Sequence, residues 1–174
     1  MLNGMTARKL VLLRHAKAET PGELPDFERQ LTERGRADAG AAGAWLAAQN
    51  LSPDLVLCSS ATRTRQTWHG VAVALSQAAP EAPAPEVRYE GGLYHGGRTE
   101  VVDLLRAVPE SVVTVLVIGH NPTISDVSLL LRPDADAAVT DGLKTAGIAV
   151  HEVDDWASAE PGSMPLIAEH TARA

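Results

Sequence analysis

In three short segments of the chain an apolar run ends and a polar or basic group follows at once: Leu13-Arg14-His15-Ala16, Cys58-Ser59-Ser60-Ala61-Thr62-Arg63 and Ile118-Gly119-His120-Asn121-Pro122. Each apolar run reads as a buried strand. In a parallel sheet the carboxyl ends of the strands share one edge, where ligands of open α/β folds bind. Two imidazoles, His15 and His120, and two guanidiniums, Arg14 and Arg63, would converge there. Two of the segments also open helices, whose free N–H groups and dipole favour negative charge. The chemistry expected is that of an anion site. Any one of these residues could be an ordinary solvated strand end or helix-surface charge; the concurrence at three strand ends carries the reading.

The elements that must position these residues follow from periodicity. Short β-branched and Leu-rich runs alternate with longer Ala-rich stretches, the pattern of an α/β fold. Strands are expected at Lys9–Leu13, Leu55–Cys58, Glu86–Tyr89, Val112–Ile118 and Gly147–Val153. Val112–Ile118 is continuously apolar, as in a central strand covered on both faces. Helices are expected from Thr32 to about Gln49, with Ala37, Ala41, Ala44 and Ala48 at helical spacing, and from Ser59 or Ser60, as N-cap, to about Gln77. Further helices should cover Thr99–Ala107 and, with Asn121 as N-cap and Pro122 first, run to about Leu131. Pro80, Pro83 and Pro85 mark a surface loop, and residues 154–174 read as a C-terminal loop and tail.

With these spacings in place, the sequence resembles the histidine phosphatase (phosphoglycerate mutase-like) superfamily. The Leu-Leu-Arg14-His15 opening, Ser59 and Arg63 in Ser-Ser-Ala-Thr-Arg-Thr-Arg-Gln-Thr, and Gly119-His120-Asn121-Pro122 stand in the superfamily's order. Arg29-Gln30-Leu31-Thr32-Glu33-Arg34-Gly35 and Pro53-Asp54-Leu55-Val56-Leu57-Cys58-Ser59 resemble the SixA-type phosphohistidine phosphatases. The resemblance spans about residues 9–153 and implies one domain over 1–174. It implies an α/β sandwich of three layers, with a mostly parallel central sheet flanked by helices. A capping insertion finds no room between Tyr94 and Val112, so an open site is expected.

The resemblance further implies a metal-independent phosphatase in which His15 is the nucleophile and forms a covalent phosphohistidine intermediate. Arg14 and Arg63 would clamp phosphoryl oxygens, and His120 would be a further donor, protonated while phosphate is bound. Arg29 is a candidate for substrate binding, Lys17 for the local cationic field, and Thr145 lies near a family threonine. Two positions depart from the pattern. Ala16 stands where many members have glycine. The mutase-like acid, counted back from Tyr94, falls on Gly91, so Glu90, one residue away, is the candidate proton donor. A missing acid favours a phosphohistidine substrate, because its leaving group is a neutral imidazole rather than an alkoxide. The alternatives are a small-molecule phosphomonoester phosphatase of the same superfamily and a non-catalytic phosphate-binding module.

Composition bounds the remaining classes. The chain has 174 residues, 45% of them hydrophobic and only 3% aromatic, so its core must be built from small aliphatic side chains. A net charge of -7 argues against a broad nucleic-acid face but says little about a pocket one phosphate wide. The single cysteine excludes an internal disulfide and suits a reducing compartment. A cysteine-dependent phosphate loop around Cys58 would need arginine at position 64, which is Thr64, so a buried strand-end thiol is expected. No cofactor, no metal and no nucleic-acid or membrane partner is expected. Leu10–Leu13 is too short for a signal or a membrane span, which suggests the cytoplasm. His69, His95, His151 and His170 match no motif and are expected on the surface or in packing.

Overall fold

A computed structural model describes residues 7–134 and 142–174. Its centre is a six-stranded sheet formed by β1 (Arg8–Arg14), β2 (Leu55–Ser59), β3 (Glu86–Glu90), β4 (Thr114–Gly119), β5 (Gly147–Val153) and β6 (Leu166–Thr171). The order is β3-β2-β4-β1-β5-β6. The first four strands in this order are mutually parallel, whereas β5 pairs antiparallel with β1 and β6 antiparallel with β5. The expected mostly parallel α/β sheet is therefore present.

Side chains alternate across a strand, and here both faces are covered. From β1, Leu10 and Leu12 join Leu55, Leu57, Val115 and Val117 on one face. Val11 and Leu13 join Val56, Cys58, Leu116 and Ile118 on the other. This double burial is why the runs are continuously apolar. Helices α1 (Glu33–Ala48) and α2 (Thr62–Ala78) contribute to the second cluster. The short α3 (Gly92–His95), then α4 (Arg98–Arg106) and α5 (Thr123–Leu131), contribute to the first. Three layers result, and residues 95–111 hold little more than α4. No helix among the described residues is long and apolar enough to cross a membrane.

Several local expectations are corrected. In α1 the buried stripe is Gly35, Asp38, Ala39, Ala42, Gly43 and Leu46, while Ala37, Ala44 and Ala48 are exposed. The spaced alanines that mark the helix therefore do not mark its buried face, which also carries Gly35, Asp38 and Gly43. Gly43 is needed where α2 approaches, since a Cβ there would lie 2.5 Å from the Val71 carbonyl oxygen. Asp38 is buried because it accepts the Ala174 N–H at 2.9 Å and lies 3.7 Å from Arg173. Residues 154–174 are not all loop and tail. Trp156 is fully buried in a 3-10 turn, with Nε1 donating to the Val112 carbonyl at 2.8 Å, and β6 pairs with β5. β6 is only half-covered along its length, so its pairing leaves a weak trace in the sequence.

The helix starts also differ. Neither Ser59 nor Ser60 caps α2; Ala61 occupies that position, and Ser59 Oγ accepts the Ala61 N–H at 3.4 Å. Asn121 does not cap α5, which follows Pro122. Its side chain accepts from Ser125 Oγ at 2.6 Å and donates to the Leu143 carbonyl at 2.8 Å. Both polar residues are drawn into the sheet edge instead.

Candidate active site

Because β1, β2 and β4 are mutually parallel through β4, Arg14, Ser59 and Gly119 end their strands on the same edge. His15 follows β1 and His120 follows β4, and their ring centroids lie 5.3 Å apart. The His15 N–H of the backbone donates to the Gly119 carbonyl at 3.0 Å, continuing the β1–β4 ladder past Arg14. The loop beyond His15 is anchored on two sides. Ala16 N–H donates to Thr67 Oγ1 at 3.1 Å, and that hydroxyl donates to the Arg63 carbonyl at 2.8 Å. On the other side, Gly35 lets α1 close on the loop, because a Cβ would stand 2.0 Å from the Lys17 carbonyl oxygen.

The His15 ring is 8% exposed, and its Nδ1 lies 2.7 Å from the Ala16 carbonyl oxygen. A carbonyl can only accept, so Nδ1 carries the proton and Nε2 is left with a free lone pair. Burial holds the imidazole down to about 3; the Ala16 bond opposes this, and the positive field of His120, Arg63 and Arg14 adds to it. His120 Nε2 lies 2.7 Å from Ser59 Oγ. Burial, with Arg63 next, lowers His120 to about 4. Both rings are therefore neutral at pH 7 in the phosphate-free protein, and the protonated His120 of the bound state would require an anion to raise it.

The guanidiniums are fixed from opposite sides. Arg14 Nη1 donates to the Leu143 carbonyl at 3.1 Å, the same oxygen that takes the Asn121 amide. Arg63, only 5% exposed, donates through Nη1 to the Asp26 carbonyl at 2.8 Å and through Nη2 to Asp26 Oδ2 at 3.1 Å. Among the described residues, the buried side-chain nitrogens without a partner are Arg14 Nε, Arg63 Nε and His120 Nδ1. All three belong to this cluster. Buried polar atoms are nearly always paired, so three orphans converging here point to an anion.

Other sequence candidates sit as follows. Arg29 reaches the rim through Asp26, donating from Nε to Oδ1 at 3.0 Å and from Nη1 to the Glu19 carbonyl at 2.7 Å. Glu90 ends β3 opposite Ser59, on the correct edge, and makes no hydrogen bond to the two histidines or to Arg14 and Arg63. Lys17 is exposed and Thr145 partly buried. Cys58 is fully buried and its thiol is pushed up to about 12 by burial, which leaves it inert as a nucleophile. His151 is buried between Ser128 and the Met164 carbonyl, and His170 stacks on Trp45 at 4.7 Å, so both serve packing.

Sequence reasoning missed Asp26 and the reach of Tyr94. The Tyr94 hydroxyl donates to Asp26 Oδ2 at 2.7 Å, and its ring meets His120 edge-on at 5.6 Å and Phe27 at 5.0 Å. A tyrosine in so aromatic-poor a chain was a usable signal for a special position. Asp26 gave none beyond standing three residues before Arg29.

The buried neutral histidines have a consequence for stability. An unfolded histidine titrates near ~6.5. Folded His15 and His120 resist protonation until about 3 and about 4. Between those limits the unfolded chain binds more protons, so stability falls as pH drops below about 6.5. The urea midpoint should decline from pH 7 to pH 4.5, and less steeply in a His15→Asn variant. Equal slopes in the two proteins would contradict the assignment.

The sheet, its three layers and this edge define a phosphoglycerate mutase-like fold bearing an anion site. Residues 10–86 match the histidine phosphatase superfamily (branch 1). An uncharacterized Mycobacterium tuberculosis protein, Rv1276c, is 39% identical over 168 residues, covering 92% of this chain and 100% of its own length. A solved structure assigned to phosphohistidine phosphatase SixA of Nakamurella multipartitia is 34% identical, with a TM-score of 0.80, over 99% of this chain and 100% of that one. The protein histidine phosphatase SixA complexed with tungstate is 25% identical, with a TM-score of 0.77, over 94% and 96%. The chain belongs to the histidine phosphatase superfamily, and it is a phosphatase.

Proposed function

We propose that the protein removes phosphoryl groups from phosphohistidine on other proteins, through a covalent intermediate on His15. The observation that carries this reading is the Nδ1 bond to the Ala16 carbonyl, which directs the lone pair of a neutral imidazole to Nε2. His15 Nε2 attacks phosphorus in line, and the bond to the leaving group breaks as the new P–N bond forms. Arg14 and Arg63 hold the phosphoryl oxygens, with His120 Nδ1 as a further donor. Water then releases phosphate from phospho-His15. The tungstate held by a SixA relative supports an oxyanion-binding role.

The substrate class rests on the leaving group. Asp26 is held down to about 2, first by the Tyr94 hydrogen bond and then by Arg29 and Arg63, so at neutral pH it has no proton to give. The Tyr94 hydroxyl is committed to Asp26, whose carboxylate raises its pKa, and Glu90 stands outside the hydrogen-bonded cluster. An alkoxide leaving from a phosphate ester lacks an acid here; an imidazole needs none. The short stretch between α3 and β4 leaves the edge uncapped, which suits a residue displayed on a protein surface.

The test compares kcat/KM of the wild-type protein for a phosphohistidine-bearing protein with that for phosphorylated sugars and glycerates. Faster turnover of the phosphohistidine protein by at least ~10-fold is expected, since protonation of the leaving oxygen alone is commonly worth ~10²-fold or more. Preference for the sugar or glycerate esters would instead support the small-molecule reading.

A further inference from the structure

Asp26 is exposed, yet it is the most connected side chain at the rim of the site. Its carboxylate accepts from Arg63 on α2, from Arg29 on its own segment and from Tyr94 on α3. Through the Tyr94 ring it neighbours two further titratable groups, His120 and His95. Its side chain keeps 52% of its surface in solvent, so the two oxygens are not used up by these partners. A carboxylate beside a phosphate clamp is unfavourable on its face, because it repels the phosphoryl dianion. It becomes favourable when the substrate carries a compensating positive charge next to its phosphoryl group.

The geometry points to Asp26 as a specificity-determining residue that accepts a hydrogen bond from the far ring N–H of a substrate phosphohistidine, favouring that imidazolium over phosphate esters, which carry no positive charge beside the phosphoryl group. This inference rests on the phosphohistidine reading above and names the group that enforces it. In the transfer, the substrate P–N bond breaks with its electron pair remaining on the ring nitrogen, while phosphorus bonds to His15 Nε2. The far nitrogen keeps its proton, so the departing ring is a neutral imidazole. The reaction therefore needs the far nitrogen protonated before transfer. Asp26, ionised throughout the neutral range, keeps it so at pH values where a free imidazole would lose the proton. The Phe27 and Tyr94 rings, in edge contact at 5.0 Å, stand beside this carboxylate and offer a flat ring an apolar wall.

Asp26→Asn keeps the shape and an acceptor for Arg63 and removes the charge. The experiment measures kcat/KM of wild type, D26N and D26E for a phosphohistidine peptide and for p-nitrophenyl phosphate, from pH 6 to pH 8.5. At the upper end, D26N should lower the peptide-to-ester ratio about tenfold or more, a change of ~1.4 kcal/mol in selectivity. At pH 6 the loss should be smaller, because the peptide ring is then protonated without help. D26E, which restores the charge, should recover part of the ratio. If Asp26 only braces Arg63 and Arg29, D26N will slow both substrates equally at every pH and the ratio will not move, which overturns the inference. Failure of wild type to act on the phosphohistidine peptide would instead strike the substrate reading itself.

Discussion

Replacing His15 with alanine should lower kcat/KM on every phosphorylated substrate by at least ~1,000-fold, because no other group can form the covalent intermediate. The cluster supplies two imidazoles, but only His15 has its Nδ1 proton pinned to a backbone carbonyl; His120 Nε2 is engaged by Ser59 instead. The variant loses one hydrogen bond to Ala16 and a buried neutral ring, and the cooperative thermal transition should survive at pH 7. Retention of wild-type turnover by a folded His15→Ala protein would remove the basis of the mechanism.

Arg63→Ala is the second large effect. Arg63 is nearly inaccessible and both of its terminal nitrogens are held by Asp26, so its guanidinium is fixed in place, with Nε buried and unpartnered rather than free to sample solvent. Loss of such a preorganised donor costs ~10²–10³-fold in kcat. Lysine should restore little of it, since a point charge cannot span the Asp26 carbonyl and carboxylate together. There is a pH signature as well. Arg63 helps to lower both His15 and His120, so its removal lets both rings protonate at higher pH. The acid limb of kcat/KM should therefore move upward in Arg63→Ala. A limb that stays in place, with a fall of less than tenfold in kcat, would contradict this account of the cluster's electrostatics.

The edge that gathers the candidate residues is readable in the sequence because those residues are tied to strand ends, and strand ends follow from apolar runs. Arg14, His15, Arg63 and His120 needed only the parallel order of β1, β2 and β4 to meet. Asp26 and Tyr94 come from a loop and a four-residue helix, whose position depends on contacts no periodicity records. Asn121 and Ser59 were recognised as polar residues at helix starts, but their ordinary capping roles were displaced by Leu143 and His120. The buried face of α1 is not legible for a related reason: Asp38 is buried by pairing with residues at positions 173 and 174, an interaction across most of the chain. β6 was missed because its stability lies in backbone pairing with β5, and its half-exposed side chains look like those of a surface loop.

The central claim is that the phosphoryl group passes through His15. Mixing the wild-type protein with phosphorylated substrate, quenching in alkali within one turnover, and mapping the protein by mass spectrometry tests it directly. The account predicts a peptide heavier by one phosphoryl group, labelled at His15, labile to acid and absent from His15→Ala. Turnover at the normal rate with no label on His15 at any quench time, or with the label on His120, would contradict it.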